Sequence, residues 1–202
     1  MNEINMDEII DLTKIHPARV RNIYLYGSRV YGSNKEDSDY DIMMVAPHIF
    51  SRDQFITSKY NINVHIPDVF EDELRGHDMI ALECLWSPDF ARLKIKEDYE
   101  SKFILDIPKL KVKLLSQSHS VWHQAKMAIK DCDILRGQKR VAHALKILMF
   151  GIQIVENGKI VDFSEVAPIY KEVSDFNGLE WDDYRDRYLP LKKDLENNLK
   201  KC

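Results

Sequence analysis

Tyr26-Gly27-Ser28-Arg29-Val30-Tyr31-Gly32 and, beyond the polar loop Ser33 to Ser38, Asp39-Tyr40-Asp41-Ile42-Met43-Met44-Val45 are the stretch whose reading decides the fold. Upstream, Val20 to Tyr26 is rich in β-branched and aromatic side chains and stops at a glycine, as a strand leaving a sheet does. Gly27 is the turn. Ser28 to Tyr31 reads as a short helix closed by Gly32, and the free N–H groups near Ser28 make an anion site of the helix N-terminus kind. From Asp39 the chain becomes apolar, like a buried strand with its polar end at the entrance.

A strand repeats every two residues, so Asp39 and Asp41 share one face. Two carboxylates held side by side repel, and one is pushed toward its neutral form unless a cation sits between them. The pair therefore favours a divalent ion with hard oxygen ligands, Mg²⁺ first and Mn²⁺ as its substitute. A glycine-serine turn or an Asp-x-Asp strand end is common by itself. Strand, turn, short helix and strand in this order, carrying both, are far more specific.

Residues 26–32 together with Asp37-Ser38-Asp39-Tyr40-Asp41 resemble the signature of the nucleotidyltransferase superfamily whose catalytic core is shared with DNA polymerase β. The wording, an aromatic residue and glycine after Gly-Ser-Arg and a serine before the first aspartate, is similar to stand-alone nucleotidyltransferases grouped with RNA-repair systems. Two weaker echoes are Ala81 to Pro88 and Val141 to Leu148 with Gly151 after it. The resemblance implies an α+β fold, a mixed β-sheet flanked by helices and followed by an α-helical domain. It also implies two Mg²⁺ ions and in-line attack of a hydroxyl on the α-phosphate of a nucleoside triphosphate. By the same resemblance Gly27 and Ser28 hold phosphates, with Arg29 and Ser38 beside them, and Asp39 and Asp41 hold the metals. Arg29 could equally be a solvated helix charge.

The family takes a third carboxylate from a neighbouring strand, and the matching stretch is Ile62-Asn63-Val64-His65-Ile66-Pro67-Asp68. The strand body lacks an acid. Period 2 puts Asn63 and His65 on one face, so a neutral His65 is one occupant of the expected place; Asp68, just past Pro67, is another, and Glu71 or Glu83 could reach in from the following helices. Asp68 is the favoured third catalytic acid, with His65 as its substitute.

The 202 residues divide into a catalytic core over 1–90 and a helical substrate- and nucleotide-binding domain over 91–202, with Trp86-Ser87-Pro88-Asp89 at the boundary. Around the core motif, helices are expected over Asp7 to Ile15, Val69 to Leu74 and Met79 to Leu85. In the second half Pro108 marks a helix start, Gly137 a break between two long helices and Gly158 the end of the second, while Pro190 interrupts the last. His119, His123, Lys126 and Lys130 form one helical stripe; Arg136, Arg140, His143 and Lys146 form another. Each reads either as a solvated face or as a clamp for triphosphate or an acceptor backbone, and Lys126, His143 and Lys146 are the candidate nucleotide ligands. His119 and His123 have zinc spacing but no third ligand nearby. Trp181, Tyr184 and Tyr188 could stack on a base, though core packing accounts for them better.

A hydrophobic fraction of 45% supports an ordinary core, and a formal charge of −4 argues against a protein that coats nucleic acid non-specifically. Cys84, Cys132 and Cys202 are too scattered for a disulfide framework or structural zinc. The start Met1-Asn2-Glu3-Ile4 has no secretory pattern and no apolar run reaches membrane length, so a cytoplasmic protein with no membrane partner is expected. Three functions follow: nucleotidyl transfer to a tRNA-like RNA 3′ end, transfer to a protein or small molecule of the toxin–antitoxin or antibiotic-modifying type, or a degenerate nucleotide- or RNA-binding protein.

Overall fold

Five strands form one mixed sheet in the order β3-β4-β2-β1-β5, where β1 is Asn22–Tyr26, β2 Tyr40–Val45, β3 Arg52–Ile56, β4 Tyr60–His65 and β5 Arg92–Ile95. These belong to a computed structural model that describes residues 4–201; the expectations at Met1, Asn2, Glu3 and Cys202 lie outside them. The chain separates into two compact units, the first ending at Ile104 and the second beginning at Leu105.

In the first unit β2 and β4 run parallel, and the other neighbouring pairs are antiparallel. Central β1 and β2 are almost wholly buried, because Ile23, Tyr24, Ile42, Met43, Met44 and Val45 are apolar on both faces. Helices α1 (Met6–Thr13), α3 (Pro67–Arg75) and α4 (Met79–Leu85) flank the sheet, with the short α2 (Ser28–Tyr31) between β1 and β2. α1 is capped by the Asn5 side chain, which accepts from Asp7 N–H at 2.9 Å and Glu8 N–H at 3.3 Å. Fully buried Phe70 of α3 stacks on Tyr24 with centroids 6.0 Å apart.

The core runs past the boundary expected near residue 90, since β5 completes one edge of the sheet. Asn22, buried in β1, holds it there: its Oδ1 accepts from Lys96 and Glu97 N–H at 3.1 and 2.9 Å, and its Nδ2 donates to the Glu97 carbonyl at 2.8 Å. β3, at the other edge, alternates between exposed and half-buried residues. Both edge strands are short and carry charges, which blunts the apolar pattern that marks inner strands.

The second unit packs α5 (Ile107–Lys130) against α6 (Ile134–Asn157), with α7 (Ala167–Asp175) and α8 (Trp181–Lys201) completing it. Pro108 stands in the first turn of α5, as expected. Gly137 lies inside α6 rather than between helices; the turn is Asp131-Cys132-Asp133, with Cys132 at φ +62°. A Cβ on Gly137 would fall 2.2 Å from Ile129 Cγ1, so the glycine lets α6 close on α5. Gly158 caps α6 in the left-handed conformation, as read. Pro190 does not interrupt α8, which continues through it to Lys201. An interior proline costs about 3 kcal/mol, and buried Tyr184, Tyr188 and Leu199 on the same helix outweigh it. Trp181, Tyr184 and Tyr188 are all buried, as core residues. Among the described residues, no helix is long and apolar enough to cross a membrane.

Candidate active site

β1 ends at Tyr26, and Gly27 turns the chain at φ +79° and ψ −157°, a conformation open to glycine almost alone. A second constraint acts on the same residue. A Cβ at Gly27 would stand 2.4 Å from Asp41 Oδ2, so the absent side chain is what lets the turn lie against that carboxylate. The Gly27 carbonyl accepts from Val30 N–H at 2.9 Å and Tyr31 N–H at 3.2 Å, starting α2, which no side chain caps. Gly32, at φ +75°, closes it.

Asp39 precedes β2 and Asp41 is its second residue; both are half-buried, and Tyr40 between them is buried. Arg29 fixes this entrance. Its Nε donates to the Asp39 carbonyl at 3.2 Å, a terminal nitrogen donates to the Ser38 carbonyl, and the guanidinium lies 3.9 Å from the Tyr40 ring centroid. Ser38 Oγ accepts from Lys35 N–H at 2.9 Å. Arg29 and Ser38, expected to touch phosphate, are thus engaged in shaping the loop that carries the aspartates.

Asp41 pairs with Tyr26 across the antiparallel side and with Asn61 across the parallel side. Asn61 Nδ2 donates to Asp41 Oδ1 at 2.8 Å, and Gln54 Nε2 on β3 donates to Asn61 Oδ1 at 2.8 Å. One step along β4, Asn63 Nδ2 donates to the Tyr26 hydroxyl at 2.8 Å. Burial, and then the charges of Asp41, Cys84 and Glu83, hold the Tyr26 phenol well above the ordinary tyrosine range, so it stays neutral.

Each residue expected to supply a third ligand has other neighbours. Among the described residues, no three His, Cys, Asp or Glu side chains converge as a metal-holding set. His65 pairs with Val45 at the far end of β4, four residues from Asn61 and so about 13 Å along the strand. Its Nδ1 meets Glu73 Oε2 at 2.9 Å. Asp68 is exposed in the first turn of α3, where its charge acts on Arg75 and Tyr99. Glu71 faces Arg75 at 3.7 Å. Glu83 is buried on α4 and accepts from the Tyr31 hydroxyl of α2, and its charge also acts on Tyr26. Asn61, one residue before the stretch from Ile62 that matches the family, is the neighbour of Asp41 on β4. The signal was there: Tyr60-Asn61-Ile62 repeats Tyr40-Asp41-Ile42 with an amide for the acid.

Lys126, His143 and Lys146 belong to the second unit. Lys126 is half-buried, whereas Lys146 is only 2% exposed, its ammonium 5.8 Å from the Phe150 ring centroid. His143 Nε2 is buried with no hydrogen-bond partner among the described residues; burial, then the Lys146 and Arg140 charges, holds its imidazole well below the usual range. His119 meets Glu196 at 3.1 Å, and Glu196 also accepts from buried Lys192.

Residues 7–135 match the nucleotidyltransferase domain family, more than half of the chain and the whole β1-Gly27-α2-β2 unit. The chain belongs to that family. It is a nucleotidyltransferase, with a nucleoside triphosphate as its implied substrate. Among solved structures, this nucleotidyltransferase is similar to the spectinomycin adenyltransferase AAD(9) from Enterococcus faecialis with ATP and spectinomycin. That alignment covers 97% of this chain and 100% of the other at 13% identity, with a TM-score of 0.49. A nucleotidyltransferase-like protein from Exiguobacterium sibiricum aligns with 96% of this chain and 73% of its own at 12% identity, with a TM-score of 0.35. No curated protein matches the chain at a significant level.

Two carboxylates at one strand entrance, half open to solvent, suit a hard divalent cation by donor type. On the neighbouring strand β4 presents amides, Asn61 and Asn63, beside Asp41 and Tyr26.

Proposed function

We propose that this nucleotidyltransferase moves a nucleoside monophosphate from a triphosphate to a hydroxyl at an RNA end, in a Mg²⁺-dependent reaction. The observation that carries the catalytic half is the approach of Gly27 to Asp41, which sets the turn expected to face phosphate directly against a carboxylate expected to hold metal. The RNA acceptor rests on the likeness of residues 26–32 and 37–41 to nucleotidyltransferases grouped with RNA repair.

Asp39 and Asp41 would hold the ion, which when bound neutralises charge on the triphosphate and the leaving pyrophosphate. The backbone at Gly27 and Ser28 would lie along the phosphates, where no side chain stands in the way. Arg29 keeps Asp39 in place through the loop backbone, and Asn61 orients Asp41 through its amide. The acceptor oxygen bonds to the α-phosphorus as the bond to the bridging oxygen breaks; pyrophosphate leaves with that electron pair, and the acceptor proton is released.

The test is pyrophosphate release from each ribonucleoside triphosphate with Mg²⁺, with and without pooled RNA, for wild type and an Asp39→Ala/Asp41→Ala double variant. RNA-stimulated release that the double variant loses is the expected result. Release stimulated only by protein or small-molecule hydroxyls would overturn the RNA acceptor while keeping the reaction, and release that survives the double substitution would overturn the site.

A further inference from the structure

We infer that Asn61 sets the metal count of this site at one ion per chain, that ion being the one bound by Asp39 and Asp41 together with the triphosphate. The inference rests on the proposed Mg²⁺-dependent reaction and adds the residue that limits it. Its basis is a parallel pair of strands in exact register. Asp41 and Asn61 are partners, the residues on either side of them match, and the side chain of Asn61 reaches Asp41 at 2.8 Å. Asn61 therefore stands where a carboxylate would have to stand to share a second ion with Asp41.

The amide is oriented against that use. Asp41 is an acceptor when ionised, so Asn61 must present its N–H₂ to Oδ1, and Gln54 donates to the Asn61 oxygen from the other side. The Gln54–Asn61–Asp41 chain thus presents to Asp41 a hydrogen-bond donor in place of a further negative oxygen. The next residue on the face, Asn63, likewise donates, to the neutral Tyr26 hydroxyl. β4 consequently adds no negative charge beside Asp41, and cation affinity at an oxygen site falls with the number of charged ligands. Of the acids on the helices that follow β4, Glu83 accepts from Tyr31, Glu73 meets His65 and Arg52, and Glu71 meets Arg75. Asn61 is a positioning residue in wild type, and the single atom that separates it from aspartate decides the stoichiometry.

The experiment counts Mn²⁺ by electron paramagnetic resonance of the free ion in the presence of a saturating, non-hydrolysable α,β-methylene triphosphate. Wild type is expected to bind one Mn²⁺ per chain and Asn61→Asp two, with the melting temperature of Asn61→Asp rising on Mn²⁺ addition more than that of wild type. Two ions in wild type would overturn this inference and leave the proposed reaction standing. One ion in Asn61→Asp, with the variant folded by circular dichroism, would overturn it as well. No bound ion in wild type would remove the Mg²⁺-dependent reading and this inference with it.

Discussion

β2 and β4 lie side by side, parallel and in register, and they open with the same pattern, Tyr40-Asp41-Ile42 against Tyr60-Asn61-Ile62. The tyrosines meet with ring centroids 5.8 Å apart, Ile42 and Ile62 are both fully buried, and the polar residues between them touch. Burial and side-chain shape are nearly the same in these two opening triplets; only the charge differs. A sheet thus supplies two equivalent positions from which to reach one site, and the chemistry is decided by whether each carries an acid or an amide. Here one strand provides the charge and the other provides the hydrogen bond that orients it.

The largest effect should come from giving β2 the chemistry of β4. Asp41→Asn is expected to lower nucleotidyl transfer by at least about 10³-fold, equivalent to about 4 kcal/mol of transition-state stabilisation, while leaving the melting temperature close to wild type. Activity within tenfold of wild type would mean that the two strands are interchangeable and that Asp41 is not the charge the reaction needs.

A smaller effect should follow from pushing the strands' neighbour out of place. Gly27→Ala puts a Cβ where only 2.4 Å separates it from Asp41 Oδ2 and forces an L-residue to φ +79°. It is expected to cost about 1–3 kcal/mol of stability, read from chemical denaturation, and about 10²-fold in turnover through displacement of Asp41. An unchanged turnover in the folded variant would separate the turn from the carboxylate.

The smallest effect concerns the far end of β4. Burial alone would raise the Glu73 carboxyl, but hydrogen bonds and charge from His65 and Arg52 outweigh it and hold the group below its ordinary value of 4.5. A carboxyl depressed in the folded state stabilises it above the unfolded pKa, and that contribution is lost as the pH falls through the folded value. Glu73→Gln is therefore expected to flatten the loss of thermal stability below pH 4.5 and to leave transfer at neutral pH within about twofold, since Glu73 meets His65 at the end of β4 remote from Asp41. A large loss of turnover would instead bring His65 into the site.

Much of the catalytic half was legible in the chain. Gly27 and Gly32 announce a turn and a helix end through the conformations they alone adopt easily, and the apolar run from Ile42 to Val45 announces an inner strand because both its faces are buried. β3 and β5 were not legible, since edge strands bury one face or less, and β5 is held by Asn22, more than seventy residues earlier. Gly137 misled for a related reason. A glycine in a helix reads as a break until the neighbouring helix is present, and Ile129 occupies the space its side chain would have taken.

By itself the sequence determined the strand, turn, helix and strand around Gly27, because local conformational preference acts within a few residues. Only the tertiary structure decided what stands beside Asp41. Hydrogen bonding between strands that are twenty residues apart sets the register, and that register puts the amide of Asn61, rather than His65 or Asp68, against the carboxylate.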